Sequence, residues 1–106
     1  MEKIRIVIAD DNRDFINILQ EFINRQDDME VVGIAKDGVE ALEVLEKTPA
    51  DILVLDIIMP ILDGLGVLEK LNTENIKGNL KVIVLSAVGQ DMITQKAVEY
   101  GADYYI

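Results

Sequence analysis

The stretch Ile52-Leu53-Val54-Leu55-Asp56 decides the fold, because four consecutive apolar residues end on a carboxylate. A short run that is apolar at every position predicts a strand buried on both faces, as in a parallel sheet covered by helices. Similar short, mainly apolar runs recur four times, more weakly in the last one: Ile4–Ala9, Val31–Ala35, Val82–Leu85 and Ala102–Ile106. The sequence therefore predicts five strands.

Between these runs, apolar residues recur at the spacing of amphipathic helices. The first helix is predicted over about residues 13 to 25. Asp37, with Glu40 three residues later, predicts the start of a second helix, and Thr48-Pro49 predicts its end. Asp63 opens a third helix, and a fourth covers roughly residues 90 to 100, with Gly101 as its C′ residue. The side chains expected to face the sheet are Phe15, Ile16, Leu19, Phe22 and Ile23, then Ala41, Leu42 and Leu45, then Leu65, Leu68 and Leu71.

The alternation of strands and helices predicts an α/β fold, a single domain over residues 1–106 with helices on both faces of a parallel five-stranded sheet. The sequence stops at Ile106, inside or just after the fifth strand. We therefore expect the final helix, which would cover the second face, to be missing. The apolar face left open favours self-association, and a homodimer is expected.

The composition narrows the chemistry that is available. The chain has no Cys and no His, so it offers neither a thiolate metal site nor an imidazole base. Its formal net charge of −10 argues against nucleic acid and anionic membranes as partners and favours cations. It shows no signal region and no membrane span, so we expect a cytosolic protein.

Polar residues follow three of the predicted strands where each one ends. Asp10-Asp11 follows the first, Asp56 ends the third and Ser86 ends the fourth. Ligands of open α/β sheets bind outside the carboxyl ends of the strands, so these side chains are expected to converge. Three carboxylates repel one another unless a hard cation lies between them, which predicts Mg²⁺, and the same oxygen ligands admit Ca²⁺. An Asp carboxylate is also a nucleophile toward phosphorus, and the Ser86 hydroxyl would donate to a phosphoryl oxygen.

Each piece taken alone has an ordinary structural explanation. Asp10-Asp11 could cap a helix, and Asp56 could be a loop acid. Ser86 is uninformative by itself, and Tyr104-Tyr105 is more typical of a strand than of a switch. The joint placement at three strand ends favours a functional site.

These segments resemble the receiver domains of bacterial two-component response regulators. The resemblance lies in residues 7–12 (VIADDN), 53–64 (LVLDIIMPILDG) and 84–87 (VLSA), and in Gly101-Ala102 before Tyr104-Tyr105. It runs over the whole chain and implies the flavodoxin-like strand order 2-1-3-4-5. Strings such as 9–13 (ADDNR) and 28–31 (DMEV) are further similar to the sporulation regulators of endospore-forming bacteria.

The resemblance implies a role for each site residue. Asp56 would accept a phosphoryl group from a histidine phosphotransferase or histidine kinase in a phosphorelay. Asp11, Asp56 and the backbone carbonyl of Ile58 would bind the metal directly, with help from Asp10. Ser86 would take the switch hydroxyl position and Tyr105 the switch aromatic position.

The resemblance also implies a signalling switch that controls transcription rather than an enzyme. Family members continue with a Lys-Pro pair, a last helix and often a DNA-binding effector domain, which we expect this chain to lack. Ile58 and Val88 lie two residues after Asp56 and Ser86, and both are apolar. Because neither orients a water molecule well, we expect a long-lived aspartyl phosphate.

Two other classes of protein share part of this pattern. A metal-dependent phosphatase of the haloacid-dehalogenase type carries its nucleophile as D-x-D after the first strand, whereas here that pair is adjacent. A flavin-binding module on the same topology requires a Ser/Thr/Gly-rich phosphate loop after the first strand. This chain has Asp10-Asp11 there, and these acids would repel the flavin phosphate.

Overall fold

Strands and helices alternate along the chain as the apolar pattern predicts. The computed structural model describes residues 2–74, 76, 78–85 and 91–106. For residues 91–94 and 105 it describes the backbone but not the side chains. Its elements are β1 (Ile4–Ala9), α1 (Arg13–Asn24), β2 (Met29–Ala35), α2 (Gly38–Lys47), β3 (Ile52–Asp56), α3 (Gly64–Thr73), β4 (Lys81–Leu85), α4 (Asp91–Glu99) and β5 (Tyr104–Tyr105). In these ranges no helix combines the length and apolar character that crossing a bilayer requires.

The strands form one parallel sheet in the order β2-β1-β3-β4-β5. Four strands of five to seven residues form its body, in the order β2-β1-β3-β4. The fifth position holds only two residues, Tyr104 and Tyr105, paired with Ile83 and Val84. The predicted strand over Ala102–Ile106 was therefore too long. The first residue of the predicted run, Ala102, closes the end of α4, because its N–H donates to the Ala97 carbonyl.

Two apolar layers hold the helices to the sheet. Alternate residues of a strand point to opposite faces, so β1 contributes Val7 to one layer and Ile8 to the other. The larger layer packs the sheet against α2, α3 and α4 through fully buried side chains, among them Leu53, Leu55, Leu68, Leu71, Val82, Val84 and Ala97. The smaller layer packs it against α1 through Ile6, Ile8, Ile16, Ile23 and Val54. Burial on both faces is thus confirmed for β1 and β3.

The structure corrects parts of the predicted core. Phe22 is 59% exposed, because it lies one residue, or about 100° of helix rotation, before the buried Ile23 and so points past the sheet. In β2 every residue except Ala35 is half-buried, since β2 is an edge strand and not a central one. In α3 Val67 is fully buried, whereas Leu65, which was expected to face the sheet, is only half-buried.

Side-chain caps fix where the helices begin. The Asp37 carboxylate accepts the Glu40 N–H at 2.8 Å, and Asp63 does the same for the Gly66 N–H at 2.8 Å, so both predicted starts are confirmed. The Glu40 side chain reaches one residue further back than a capping box requires, to the Lys36 N–H at 3.2 Å. At the end of α4, Gly101 has φ 98° and closes the helix as predicted.

Gly64 brings the start of α3 against the end of β3. Its N–H donates to the Ile57 carbonyl at 2.8 Å. A Cβ at this position would overlap the Asp56 carbonyl oxygen and lie 2.7 Å from the Ile57 Cα. These neighbours are backbone atoms, so they cannot move aside without displacing Asp56. Glycine is required here for close approach.

We therefore predict that Gly64→Ala lowers the free energy of unfolding by about 1–3 kcal/mol, the usual cost of forcing extra volume into a packed site. Gly66→Ala is the matched control in the same helix turn. There the closest atoms belong to the Leu62 side chain, which can rotate, the Asp63 Oδ1 lies at an ordinary contact distance of 3.4 Å, and alanine favours the helix. Urea unfolding of both variants checks this. Equal losses of stability would contradict the backbone collision.

Candidate functional site

The register of two neighbouring strands brings the acidic residues together. Ala9 of β1 is paired with Leu55 of β3. The next residues, Asp10 and Asp56, therefore emerge side by side at the carboxyl edge of the sheet. Asp11 follows Asp10, and carboxylate oxygens of the three residues lie within 4.8 Å of one another. The predicted convergence of these carboxylates is what the structure shows.

Asn12, and not the acidic pair, caps α1. The Asn12 side-chain oxygen accepts the Phe15 N–H at 3.1 Å, as an N-cap does. The alternative in which Asp10-Asp11 caps the helix is therefore wrong. Both carboxylates are left available to the site.

Backbone donors hold two of the carboxylates in place. Asp10 is buried, at 6% exposure, and its Oδ1 accepts the Asn12 N–H at 2.8 Å. Asp56 is half-buried, and its Oδ1 accepts the Ile58 N–H at 3.2 Å. Asp11 is exposed. The site thus has two fixed carboxylates and one at the solvent boundary.

Burial and mutual repulsion both disfavour the charged forms. Burial raises the pKa of Asp10, which the Asn12 N–H opposes and the charge of Asp11 reinforces. Burial also raises the pKa of Asp56, against the Ile58 N–H, and the charges of Asp10 and Asp11 raise it further. A cation between the three carboxylates would relieve both effects.

The donor set fits a hard divalent cation. All three side chains offer oxygen, the ligand that Mg²⁺ and Ca²⁺ prefer, and three carboxylate oxygens lie close enough to share one ion. Asp10, Asp11 and Asp56 are the residues that would hold it. Ile58 borders the same cavity, and the role predicted for its carbonyl remains a prediction.

The cavity above the carboxylates has an apolar rim. It measures about 490 Å³ and is lined by Asp10, Asp11, Asn12, Phe15, Asp56, Ile58, Leu85 and Ile106. Three rim residues, Phe15, Leu85 and Ile106, were expected only as core or strand positions. Nothing in an apolar pattern distinguishes a rim position from a core position, so sequence reasoning could not have assigned them.

Two predicted switch residues are not tested by these contacts. Ser86 lies outside the described residues, as does Val88, and β4 ends at Leu85. The backbone of Tyr105 pairs with Val84 in β5, while its side chain lies outside what is described. The hydroxyl and aromatic roles therefore remain predictions.

A sequence profile of one family, the response regulator receiver domain, matches residues 6–106. The chain belongs to this family. The predicted resemblance to receiver domains is thereby confirmed, while the similarity to sporulation regulators stays a prediction. As a receiver domain, the chain is a module of two-component signalling, and its α/β fold with a parallel sheet is that of the family.

Solved receiver domains superpose closely on this one. The response regulator domain of Thermotoga maritima CheB is 34% identical, with a TM-score of 0.88 over 99% of this chain and 78% of that one. The signal receiver domain of a NarL response regulator from Mycobacterium tuberculosis is 30% identical, with a TM-score of 0.91 over 99% and 83%. A CheX–CheY–BeF₃–Mg²⁺ complex from Borrelia burgdorferi contains a chain that is 28% identical, with a TM-score of 0.85 over 99% and 78%.

We predict that Asp10→Asn raises the midpoint of thermal unfolding by a few degrees at neutral pH without divalent cations. The amide keeps an acceptor for the Asn12 N–H but removes a buried charge. Because the folded pKa of Asp10 is raised, its favourable contribution is complete below the unfolded pKa, about 3.9, and is lost as the pH rises through the folded pKa. The difference between variant and wild type should therefore shrink toward acidic pH.

Thermal melts over a pH series, with and without Mg²⁺, provide the measurement. Asp27→Asn is the control, since Asp27 is an exposed acid in the connection before β2, at the opposite end of the sheet. Mg²⁺ should stabilise the wild type more than Asp10→Asn. An Asp10→Asn variant that is less stable at neutral pH would contradict the proposed repulsion.

Proposed function

We propose that Asp56 accepts a phosphoryl group from a phosphohistidine of a histidine kinase or histidine phosphotransferase. The observation that carries the proposal is the meeting of Asp10, Asp11 and Asp56 under an open cavity at the carboxyl edge of the sheet. Membership of the receiver family gives this chemistry its context in two-component signalling.

The transfer uses the Asp56 carboxylate as nucleophile. One of its oxygens forms a bond to phosphorus while the bond from phosphorus to the donor imidazole nitrogen breaks, and the imidazole leaves. The Ile58 N–H fixes the orientation of the attacking carboxylate. When bound, a divalent cation would neutralise charge on the carboxylates and on the phosphoryl group. Asp10 and Asp11 would hold it beside the acceptor.

Magnesium is the cation that the proposal favours, with Ca²⁺ admitted by the same ligands. The complex from Borrelia burgdorferi that contains a similar chain includes Mg²⁺ and BeF₃, which supports Mg²⁺ as the cation here. Direct ligation by Asp11, Asp56 and the Ile58 carbonyl, with help from Asp10, is part of the proposal.

The output side of the proposal comes from the family resemblance. Ser86 would donate to the new phosphoryl oxygens, and Tyr105 would move into the space that Ser86 leaves. The altered surface would act on a DNA-binding effector domain in the cytosol, in the control of sporulation. Self-association stays a prediction, which light scattering can decide. Leu85, which is only half-buried on the α1 face of the sheet, favours it.

A metal-dependent phosphatase is the alternative of another class. Its nucleophile would be the first acid of a D-x-D motif after the first strand, whereas here the two acids after β1 are adjacent and the acid proposed as nucleophile, Asp56, ends β3. Release of phosphate from a simple aryl phosphate, with turnover, would favour that alternative over a switch.

We expect Asp56→Asn to abolish phosphorylation by phosphoramidate in the presence of Mg²⁺, because an amide is no nucleophile toward phosphorus. Asp27→Asn is the control and should be phosphorylated at the rate of the wild type. Intact-mass spectrometry over time measures the phosphorylated fraction. A phosphorylated Asp56→Asn species would contradict the assignment of Asp56 as the phosphoryl acceptor.

Ile58 offers a second test of the same chemistry. Its side chain is 61% exposed at the rim of the cavity and cannot orient water. We expect Ile58→Asn to shorten the life of the aspartyl phosphate by about tenfold, less than the 10²–10⁴ that a positioned general base supplies, because an amide only orients the attacking water. Loss of the phosphorylated mass after removal of the donor gives the rate. An unchanged lifetime would show that position 58 does not govern access of water.

A further inference from the structure

A second cavity lies next to the acidic site, between the start of α1 and the end of β2. It measures about 400 Å³ and is lined by Asp11, Arg13, Ile16, Asn17, Ile34 and Lys36. Asp11 also lines the cavity above Asp56. The two cavities therefore share a wall, and a molecule that reaches Asp56 passes beside the second one. The second cavity is called the Arg13–Lys36 cleft below.

The cleft presents two cations, Arg13 and Lys36. In the described part of the chain, no carboxylate lies within 4.0 Å of the charged group of Arg13 or Lys36. The Glu40 carboxylate, although close in sequence, accepts the Lys36 backbone N–H. Both side chains are exposed on a chain whose net charge is −10. Two of its ten basic residues thus line one cleft beside three acids.

Arg13 is not placed for the stability of its helix. It is the first residue of α1, where the helix dipole is positive and favours acidic side chains. The position therefore costs some helix stability, and no ion pair within the described chain offsets that cost. An anion from outside the domain would offset this cost in helix stability.

The interior of the cleft suggests the size of that anion. Ile16 is buried at its base, Ile34 is half-buried, and Asn17 adds an amide at the edge. An apolar base below two cations fits a group with a short aliphatic stem and a terminal carboxylate. A glutamate or aspartate side chain has this form.

We propose that the Arg13–Lys36 cleft binds an acidic side chain of the phosphodonor protein, next to the histidine that transfers its phosphoryl group to Asp56. This inference rests on the proposed function, because the donor must reach Asp56. The occupant is expected to be a side chain of the donor, because Asp11 lines both cavities and the cleft therefore lies beside the phosphohistidine when the donor is bound over Asp56. A donor that carries acids near its histidine would otherwise face only the negative edge of this domain.

Two phosphohistidine peptides of equal length test the proposal. One carries glutamates on both sides of the histidine, and the other carries glutamines. Each is phosphorylated with phosphoramidate, purified, and mixed with the wild-type chain and Mg²⁺ at low ionic strength. Intact-mass spectrometry gives the initial rate at which Asp56 is loaded. We expect the glutamate peptide to be faster by about three- to tenfold, the range for two partly exposed charge contacts.

The variants assign the preference to the cleft. In Arg13→Gln/Lys36→Gln the ratio of the two rates should fall to about one, and in Arg13→Lys/Lys36→Arg, which keeps both charges, it should be restored. Lys81→Gln, an exposed cation at the opposite edge of the sheet, should keep the wild-type ratio. Unfolding midpoints show whether each variant folds. If the double glutamine variant does not fold, the single variants Arg13→Gln and Lys36→Gln provide the answer, since each should lower the ratio.

The outcomes distinguish a failure of the proposed cleft from a failure of the proposed function. A wild-type ratio of one, or a preference that survives in Arg13→Gln/Lys36→Gln, overturns the cleft and leaves Asp56 as acceptor. Failure of both peptides to load Asp56 overturns the proposed function and the cleft with it. A high ratio that falls only when the two charges are removed supports the assignment.

Discussion

The repulsion among three carboxylates at one edge of the sheet is the constraint on which the rest of the structure depends. The pairing of Ala9 with Leu55 places Asp10 and Asp56 side by side, and Asp11 follows within reach of both. A domain that merely needed to fold would gain by losing one of these charges, because burial and neighbouring charge raise the pKa of two of them. Their retention makes sense where a cation and a phosphoryl group use them.

The surrounding backbone is built to keep this arrangement. Asn12 takes over the capping of α1, so the acidic pair need not perform it. The absence of a side chain at Gly64 lets α3 begin directly against the Asp56 and Ile57 backbone, below the acceptor. The two apolar layers then hold the central strands β1 and β3 from both sides. The site is therefore positioned by strands and caps rather than by long loops, which suits a group that must be presented in a fixed orientation.

The central strands and the acidic site could be predicted from the sequence because both are encoded locally. A fully apolar run that ends on Asp56 carries its own signal, and parallel strands bring such ends to one edge. The exposure of Phe22 could not be predicted, since a pattern shows which side chains are apolar but not how wide a helix face the sheet can cover. The half-buried state of β2 follows from its edge position, which the strand order implied by the family resemblance contains but the apolar pattern of the strand does not reveal. The two basic residues of the Arg13–Lys36 cleft are 23 positions apart in the chain. Single surface charges have no period that would reveal it.

The central claim is that the Asp56 carboxylate forms an acyl phosphate. Trapping of the phosphorylated chain with hydroxylamine, followed by peptide mapping, identifies the modified carboxyl group directly. The account predicts a hydroxamate at residue 56 that forms only after treatment with phosphodonor and a divalent cation. A hydroxamate at Asp10, at Asp11 or at another acid, or none under these conditions, would contradict it.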